Sequence, residues 1–464
     1  MAPQNRAQPP LEFIPPDFNP LILWGVKRLL PFWMRRNSSI KQVQTEGVEE
    51  LVRAFQGFQT GKVRFLVAFR HPSAEDAYCL MRLLWRDVPR VAQQMGVTFS
   101  APVHSHFIYD RGIPLWAGQG VGWLYSKLGG TPIQRGKVDR PGLKSARNLY
   151  ANGRFPLAAA PEGGNNGHTE IVSPLEPGIA QFGFWCVDDL QKAERSEQVL
   201  ILPLGIRYKY LTPPWRAIAQ LLTTLEQDLG LGPIADAAPT PSNTGDIVAQ
   251  LYPRLLRLGQ QLLIRMEAYY ADFYHRPAPP PPETADLLDG TVLVERLQAL
   301  LDTALQVAES FFQLPGKGNT IDRCRRIEQA GWDWIYRDEF SDRQQLSAVD
   351  QGLADRVAEE AALRMWHMRL VESFVAVTGQ YVSQKPTVER FAETLLLLRD
   401  TITLIKGDSP FPRPRLGPQV AQLSVGKAIS VSDRWADYRQ GRRQAVADLT
   451  ETLQGALQDL ITKP

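Results

Sequence analysis

At 464 residues, with 44% hydrophobic content and a formal net charge of +3, the chain holds enough apolar material for a sizeable core and is long for one domain, so two structural regions are expected. So slight a positive balance argues against a nucleic-acid partner, and three cysteines (Cys79, Cys186, Cys324) without paired metal-ligand spacing point to a reduced, cytosolic compartment. No signal peptide is evident, and no uninterrupted apolar run is long enough to span a bilayer.

The chain opens on an unusual segment. Between Phe18 and Thr45 there is no acidic residue, whereas Lys27, Arg28, Arg35, Arg36 and Lys41 are basic. Interleaved with them are Leu21, Ile22, Leu23, Trp24, Val26, Leu29, Leu30, Phe32, Trp33 and Met34. Apolar and tryptophan side chains suit the headgroup boundary of a membrane, and the cations suit anionic lipids. The competing reading is a helix packed on the core with the basic residues as its solvated face. Pro31 is expected to kink or end any helix here. Residues 1–50 are therefore read as an interfacial, amphipathic segment.

Val63 to Phe69 is a short apolar run that reads as a buried strand. Directly after it stands His71-Pro-Ser-Ala-Glu-Asp76, and from Ser73 to about Gln94 the apolar spacing turns helical. His71 then lies in a strand-to-helix turn and Asp76 in the first helical turn, a candidate base with an orienting carboxylate. Further strand-like runs are Thr98 to Val103, Ile108-Tyr109, Leu157 to Ala160 and Val199 to Tyr208, with helical stretches near Leu115 to Leu128 and Gly142 to Asn152. Strands alternating with helices predict an α/β layer around a mostly parallel sheet. Such sheets bind ligands beyond the carboxyl ends of their strands, where His71 and Glu162 both fall.

His71-x4-Asp76, Gly130-Thr-Pro-Ile-Gln-Arg135, Pro161-Glu162-Gly163 and Ile201-Leu-Pro203-Leu follow in this order and spacing. The arrangement resembles the four motif blocks of the glycerolipid acyltransferase family, which includes the 1-acylglycerol-3-phosphate and glycerol-3-phosphate acyltransferases. The likeness covers about residues 60 to 210. It implies an α/β core at the cytoplasmic face of a membrane, and transfer of a fatty acyl group from acyl-CoA or acyl-ACP to a glycerolipid hydroxyl. It implies no other cofactor and no metal. The implied acceptor is lysophosphatidic acid or a related glycerolipid. The resemblance assigns His71 as general base and Asp76 as the group that orients it. It also assigns Arg135 to the acceptor phosphate, with Glu162 and Gly163 positioning the acceptor. The sequence departs from the family pattern at Arg70, Ala160, Gly164 and Asn165. The last two remove a cation expected at the phosphate site, and Lys137, Arg140 and Arg207 are the candidates to supply it.

Each block also has a plainer reading. Ser73 is read as a helix cap with Asp76 three residues on, and not as a nucleophile. His104-Ser-His106 would suit a metal hydrolase only with a third ligand element, which the sequence lacks; packing is the plainer role for both histidines. An acyltransferase-fold lipid-binding or scaffold protein with altered or lost activity is the alternative function, and acylation of glycerol 3-phosphate or another lysolipid a further one.

Beyond Trp215 the pattern becomes helical: Ala217 to Leu229, Ile247 to Tyr274, Ala285 to Leu314, Ile321 to Tyr336, Val349 to Gln380 and Thr387 to Ile405. A Pro-rich spacer at residues 276–283 interrupts it. Ala421 to Val425 and the run to Val431 read as strand, turn and strand, followed by a helix from Arg442 to Ile461. The expected organisation is an acyltransferase domain of residues 51–216 and 413–464, with the all-α region 217–412 inserted before its final strands and helix.

Overall fold

The computed structural model describes residues 6–134, 138–232, 244–277, 290–340, 346–374 and 380–462. The chain divides into two compact units, Glu12–Lys209 with Pro418–Pro464, and Met1–Leu11 with Tyr210–Gly417. The segment 1–50 expected as one piece is thus shared between them. The α/β unit is completed by residues on both sides of the helical stretch.

Eight strands build the sheet: β1 (Ile40–Glu46), β2 (Val63–Phe69), β3 (His106–Asp110), β4 (Gly130–Ile133), β5 (Leu157–Ala159), β6 (Gln198–Tyr210), β7 (Gln419–Val425) and β8 (Ile429–Ser430). Their order is β1-β7-β6-β2-β5-β3-β4, with β8 beside β6. The pairs β1–β7, β2–β6, β2–β5, β3–β5 and β3–β4 are parallel, and β8 runs antiparallel to β6. The mostly parallel sheet flanked by helices is therefore present.

Alternation along the central strands explains the layers, because successive side chains leave a strand on opposite faces. Phe65, Val67 and Phe69 join a core with helices Val48–Gln59 and Asp76–Arg82. Leu66 and Ala68 join another with helices Arg140–Asn152, Gly178–Lys192 and Arg442–Thr462. A strand buried on both faces reads as a continuous apolar run, as β2 does.

Three local expectations are corrected. Thr98 to Val103 is not a strand; the Gln59 side chain accepts from the amides of Ser100 (2.8 Å) and Ala101 (3.1 Å), so these donors are met without a sheet neighbour. Pro31 does not end its helix, which runs Pro20–Asn37 with Asn19 accepting from the amides of Leu21 and Ile22. Between Asp76 and Gln94 the helix passes through a π-turn at Leu83–Asp87.

The helical unit consists of Trp215–Asp228, Thr244–Tyr274, Gly290–Phe312, Thr320–Ile335, Ala348–Ser373, Tyr381–Gln384 and Val388–Ile405 among the described residues. Their apolar faces form a large cluster that includes Leu222, Leu258, Ala308, Ile327, Val371 and Phe391, and a smaller one with Trp332, Ile335, Ala358 and Met365. Most of the Pro-rich spacer, residues 278–283, lies outside the described residues.

Candidate active site

Strand register brings the first pair of motifs together. Ala68 of β2 is level with Ala159 of β5, and His71 and Glu162 each stand three residues further on. The turns after two neighbouring parallel strands therefore meet at the carboxyl edge of the sheet.

His71 Nδ1 lies 3.0 Å from Asp76 Oδ2. A carboxylate only accepts, so Nδ1 carries the proton and Nε2 presents its lone pair. Nε2 has no hydrogen-bond partner among the described residues, and the side chain is 29% exposed. Asp76 is fully buried. Its Oδ2 also accepts from the Ser73 amide at 2.8 Å, and its Oδ1 accepts from the Tyr208 hydroxyl. Burial pushes the Asp76 carboxyl up, and the bonds from His71, Tyr208 and Ser73 oppose that shift. The arrangement is that of a base held by a carboxylate, which is in turn held by a buried phenol.

Ser73 differs from its expected capping role. The helix starts at Asp76, and the Ser73 hydroxyl accepts from the Glu75 amide at 3.2 Å. Asp76 bonds the Ser73 amide and His71 through the same oxygen, so it ties the turn before the helix to the imidazole.

Glu162 is placed differently from the acceptor contact that the resemblance implies. It is buried, and both oxygens are engaged: Oε1 accepts from the His71 amide at 2.9 Å and from Arg70 Nε at 3.3 Å. Its Oε2 accepts from the Ser173 amide and the Asn166 side chain, each at 2.9 Å. Glu162 therefore fixes the backbone of His71. Arg70 is fully buried and also donates to the carbonyls of His168 (3.0 Å), Thr169 (2.8 Å) and Ile171. Three of the departing positions thus fall together: Arg70 ties down the loop that Gly164 and Asn165 open.

Gly163 has φ +68°, and a Cβ there would lie 2.1 Å from Glu176 Oε1. The left-handed backbone is what favours glycine here, and the Glu176 carboxylate occupies the space beside it. Arg135 and Lys137 lie outside the described residues. Arg140 is exposed at the start of its helix. Arg207 is buried and donates to the Ile461 carbonyl at 2.8 Å, so it is committed to packing the terminal helix.

His104 and His106 are both buried against Phe155. His104 accepts from Trp85 Nε1 at 3.3 Å and donates to the Leu128 carbonyl at 2.9 Å, while His106 Nδ1 bonds the Gly129 carbonyl at 2.8 Å. They are packing residues. Among the described residues no group of three His, Cys, Asp or Glu is arranged to hold a metal ion.

Tyr208 is the member of the site that sequence reasoning missed. The signal was its parity: along β6, Leu202, Leu204, Ile206 and Tyr208 share the face that carries Phe65, Val67 and Phe69 on β2. Only the register of the two strands turns that parity into contact with Asp76. Comparison with known families, curated proteins and solved structures finds no match to this chain.

Proposed function

We propose that the chain is an O-acyltransferase of glycerolipid synthesis, moving a fatty acyl group from acyl-CoA or acyl-ACP onto the hydroxyl of lysophosphatidic acid or a related glycerolipid. The observation that carries the reading is the 3.0 Å His71–Asp76 bond with Nε2 left open beyond β2. The ordered resemblance of the motif blocks supplies the reaction class.

In this reading His71 Nε2 takes the acceptor hydroxyl proton while the oxygen attacks the thioester carbonyl. Collapse of the tetrahedral intermediate breaks the C–S bond, and the imidazolium returns its proton to the departing thiolate. Asp76 stabilises the imidazolium formed between the two steps. Direct transfer is favoured over an acyl-enzyme. Ser73 Oγ is engaged with the Glu75 amide, and Cys79 is buried with its thiol pushed up by that burial. Assignment of Arg135 to the acceptor phosphate rests on the resemblance alone.

The acceptor would be taken from a bilayer surface, with the protein peripheral at its cytoplasmic face. Helix Pro20–Asn37 supports this: Leu21 (76%), Trp24 (60%), Leu29 (68%) and Phe32 (72%) are exposed alongside Arg28, Arg35 and Arg36. No helix among the described residues is long and apolar enough to cross a membrane.

The test is transfer from a labelled acyl thioester to glycerol 3-phosphate, its 1-acyl form and larger-headed lysophospholipids, wild type beside His71→Ala. Turnover should fall by roughly 10²- to 10⁴-fold in the variant. Lipid binding without His71-dependent turnover would instead make the chain an acyltransferase-fold lipid-binding or scaffold protein.

A further inference from the structure

A concave site lies in the α/β unit, away from His71. Helix Gly178–Lys192 returns from the segment after β5 to the start of β6 at Gln198. Its last turns therefore sit near the amino ends of the strands, opposite the edge that carries His71. There a cleft of about 510 Å³ is lined by Trp185, Trp435, Tyr438, Arg439 and Arg442, with Asp188 at its side. Its volume falls within the range of small-ligand sites.

The aromatic part is ordered as a stack. Phe184 and Tyr438 are 4.3 Å apart at 13°, and Trp435 continues the stack 5.3 Å from Tyr438 at 23°. The polar part is dominated by donors. Asp188 is already shared between Arg147 (3.1 Å) and Lys192 (2.7 Å). Arg439 and Arg442 have no carboxylate partner among the described residues, and Arg442 lies 5.8 Å over the Tyr438 ring. Trp435 Nε1 is buried without a hydrogen-bond partner among the described residues.

Excess donors and two uncompensated guanidinium groups select an anion rich in acceptor oxygens, and guanidinium forks suit phosphate. The Trp185 and Trp435 indoles add a flat apolar surface that favours a planar ring system. We propose that this cleft binds a nucleoside phosphate, with Arg439 and Arg442 meeting the phosphates and the Trp185–Trp435 wall meeting the base. The site shares no residue with the His71 machinery and does not depend on the acyl-transfer reading. The same chemistry occurs in a free nucleotide and in the nucleotide portion of coenzyme A.

The experiment is calorimetric titration of the full-length protein with ADP, adenosine, inorganic pyrophosphate and coenzyme A, with a fluorescent ADP analogue as displacement probe. Saturable ADP binding is expected, weaker for adenosine and pyrophosphate, which each carry half the recognised chemistry. Arg439→Ala with Arg442→Ala should weaken it roughly tenfold or more. These exposed positions spare the core. Trp435→Phe should also weaken binding while keeping a ring, and His71→Ala should leave it unchanged. Coenzyme A displacing the probe, with the same sensitivity to the arginine variants, would identify it as the source; displacement by ADP alone would identify a free nucleotide. Absence of saturable ADP binding into the millimolar range would overturn the proposal. So would binding indifferent to both the arginine and the tryptophan variants when circular dichroism shows them folded.

Discussion

Asp76 is the residue at which the proposed function and stability are set against each other. Its carboxyl is fully buried and burial pushes its pKa up. A carboxyl whose folded-state pKa lies above its unfolded value costs stability when ionised, and the cost is relieved as pH falls through the folded value. Asp76→Asn removes that buried charge and keeps the bonding pattern. The amide oxygen can replace Oδ2 toward His71 and Ser73, and the amide nitrogen can donate to the Tyr208 hydroxyl, which turns toward Cys79 Sγ at 3.7 Å. The imidazolium, however, loses its counter-charge. On the proposed mechanism, acyl transfer should therefore fall on the order of 10²- to 10⁴-fold while the melting temperature holds or rises. A variant that unfolds with its activity loss would show Asp76 to be mainly structural, and parallel melting and turnover curves decide between the two. Tyr208→Phe has the converse signature: it takes one stabilising donor from the carboxylate, so the acid limb of the pH–rate profile moves to higher pH.

At the scale of elements, what could be read from the sequence is what is buried on both sides. β2, β5 and β6 show as apolar runs because core lies above and below them, β7 shows by alternation because core covers one face, and the His71 turn follows from β2. β1 was hidden. It is an edge strand, largely exposed, and its parallel partner Gln419–Val425 is supplied from far along the chain. The brace of Arg70 and Glu162 was hidden for a related reason, since a buried ion pair needs both its ends placed before it can be seen. Helix Pro20–Asn37 was visible in composition and misjudged in form. Its buried contacts, Leu23 and Met34, lie on the opposite side from Leu21, Arg28 and Phe32, and Pro31 falls at an exposed position. Trp33 meets Tyr78 of the helix that begins at Asp76, with ring centroids 4.8 Å apart. An outward face of this kind should bind vesicles containing anionic lipid and release them as salt screens the arginines. Trp24→Ser with Phe32→Ser should weaken co-sedimentation with phosphatidylglycerol vesicles roughly tenfold or more, from the apolar area lost. Equal binding to zwitterionic vesicles, or none to either, would sink the assignment of this face.

At the scale of the whole molecule, each unit buries a histidine whose pKa is lowered, and each such histidine makes stability fall as pH falls. In the α/β unit His104 is lowered to about 4, chiefly by burial, with Lys27 and His106 adding to the shift. In the helical unit His367 is lowered to about 4 by burial and by Arg364. Its ring is held by Tyr270 at 2.7 Å and Tyr274 at 3.1 Å. A base whose folded-state pKa lies below its unfolded value contributes stability above the unfolded value. That stability drains away as pH falls, because the unfolded chain takes the proton first. The window therefore runs from about 6.5, the ordinary histidine value, down to about 4. At roughly 1.4 kcal/mol per unit of separation, each histidine can remove up to about 3 kcal/mol across it. Asp76 acts in the opposite sense and offsets part of the loss in its own unit. Hydrogen exchange read by mass spectrometry reports the units separately through their own peptides. Protection in both should decline between pH 6.5 and pH 4 once intrinsic exchange rates are corrected for. His367→Gln should flatten that decline in the Tyr270 and Tyr274 peptides and leave the peptides around Trp85 and His104 unchanged. Protection that stays level over the whole window would mean that both rings accept a proton in place, and the burial argument would fail for both units.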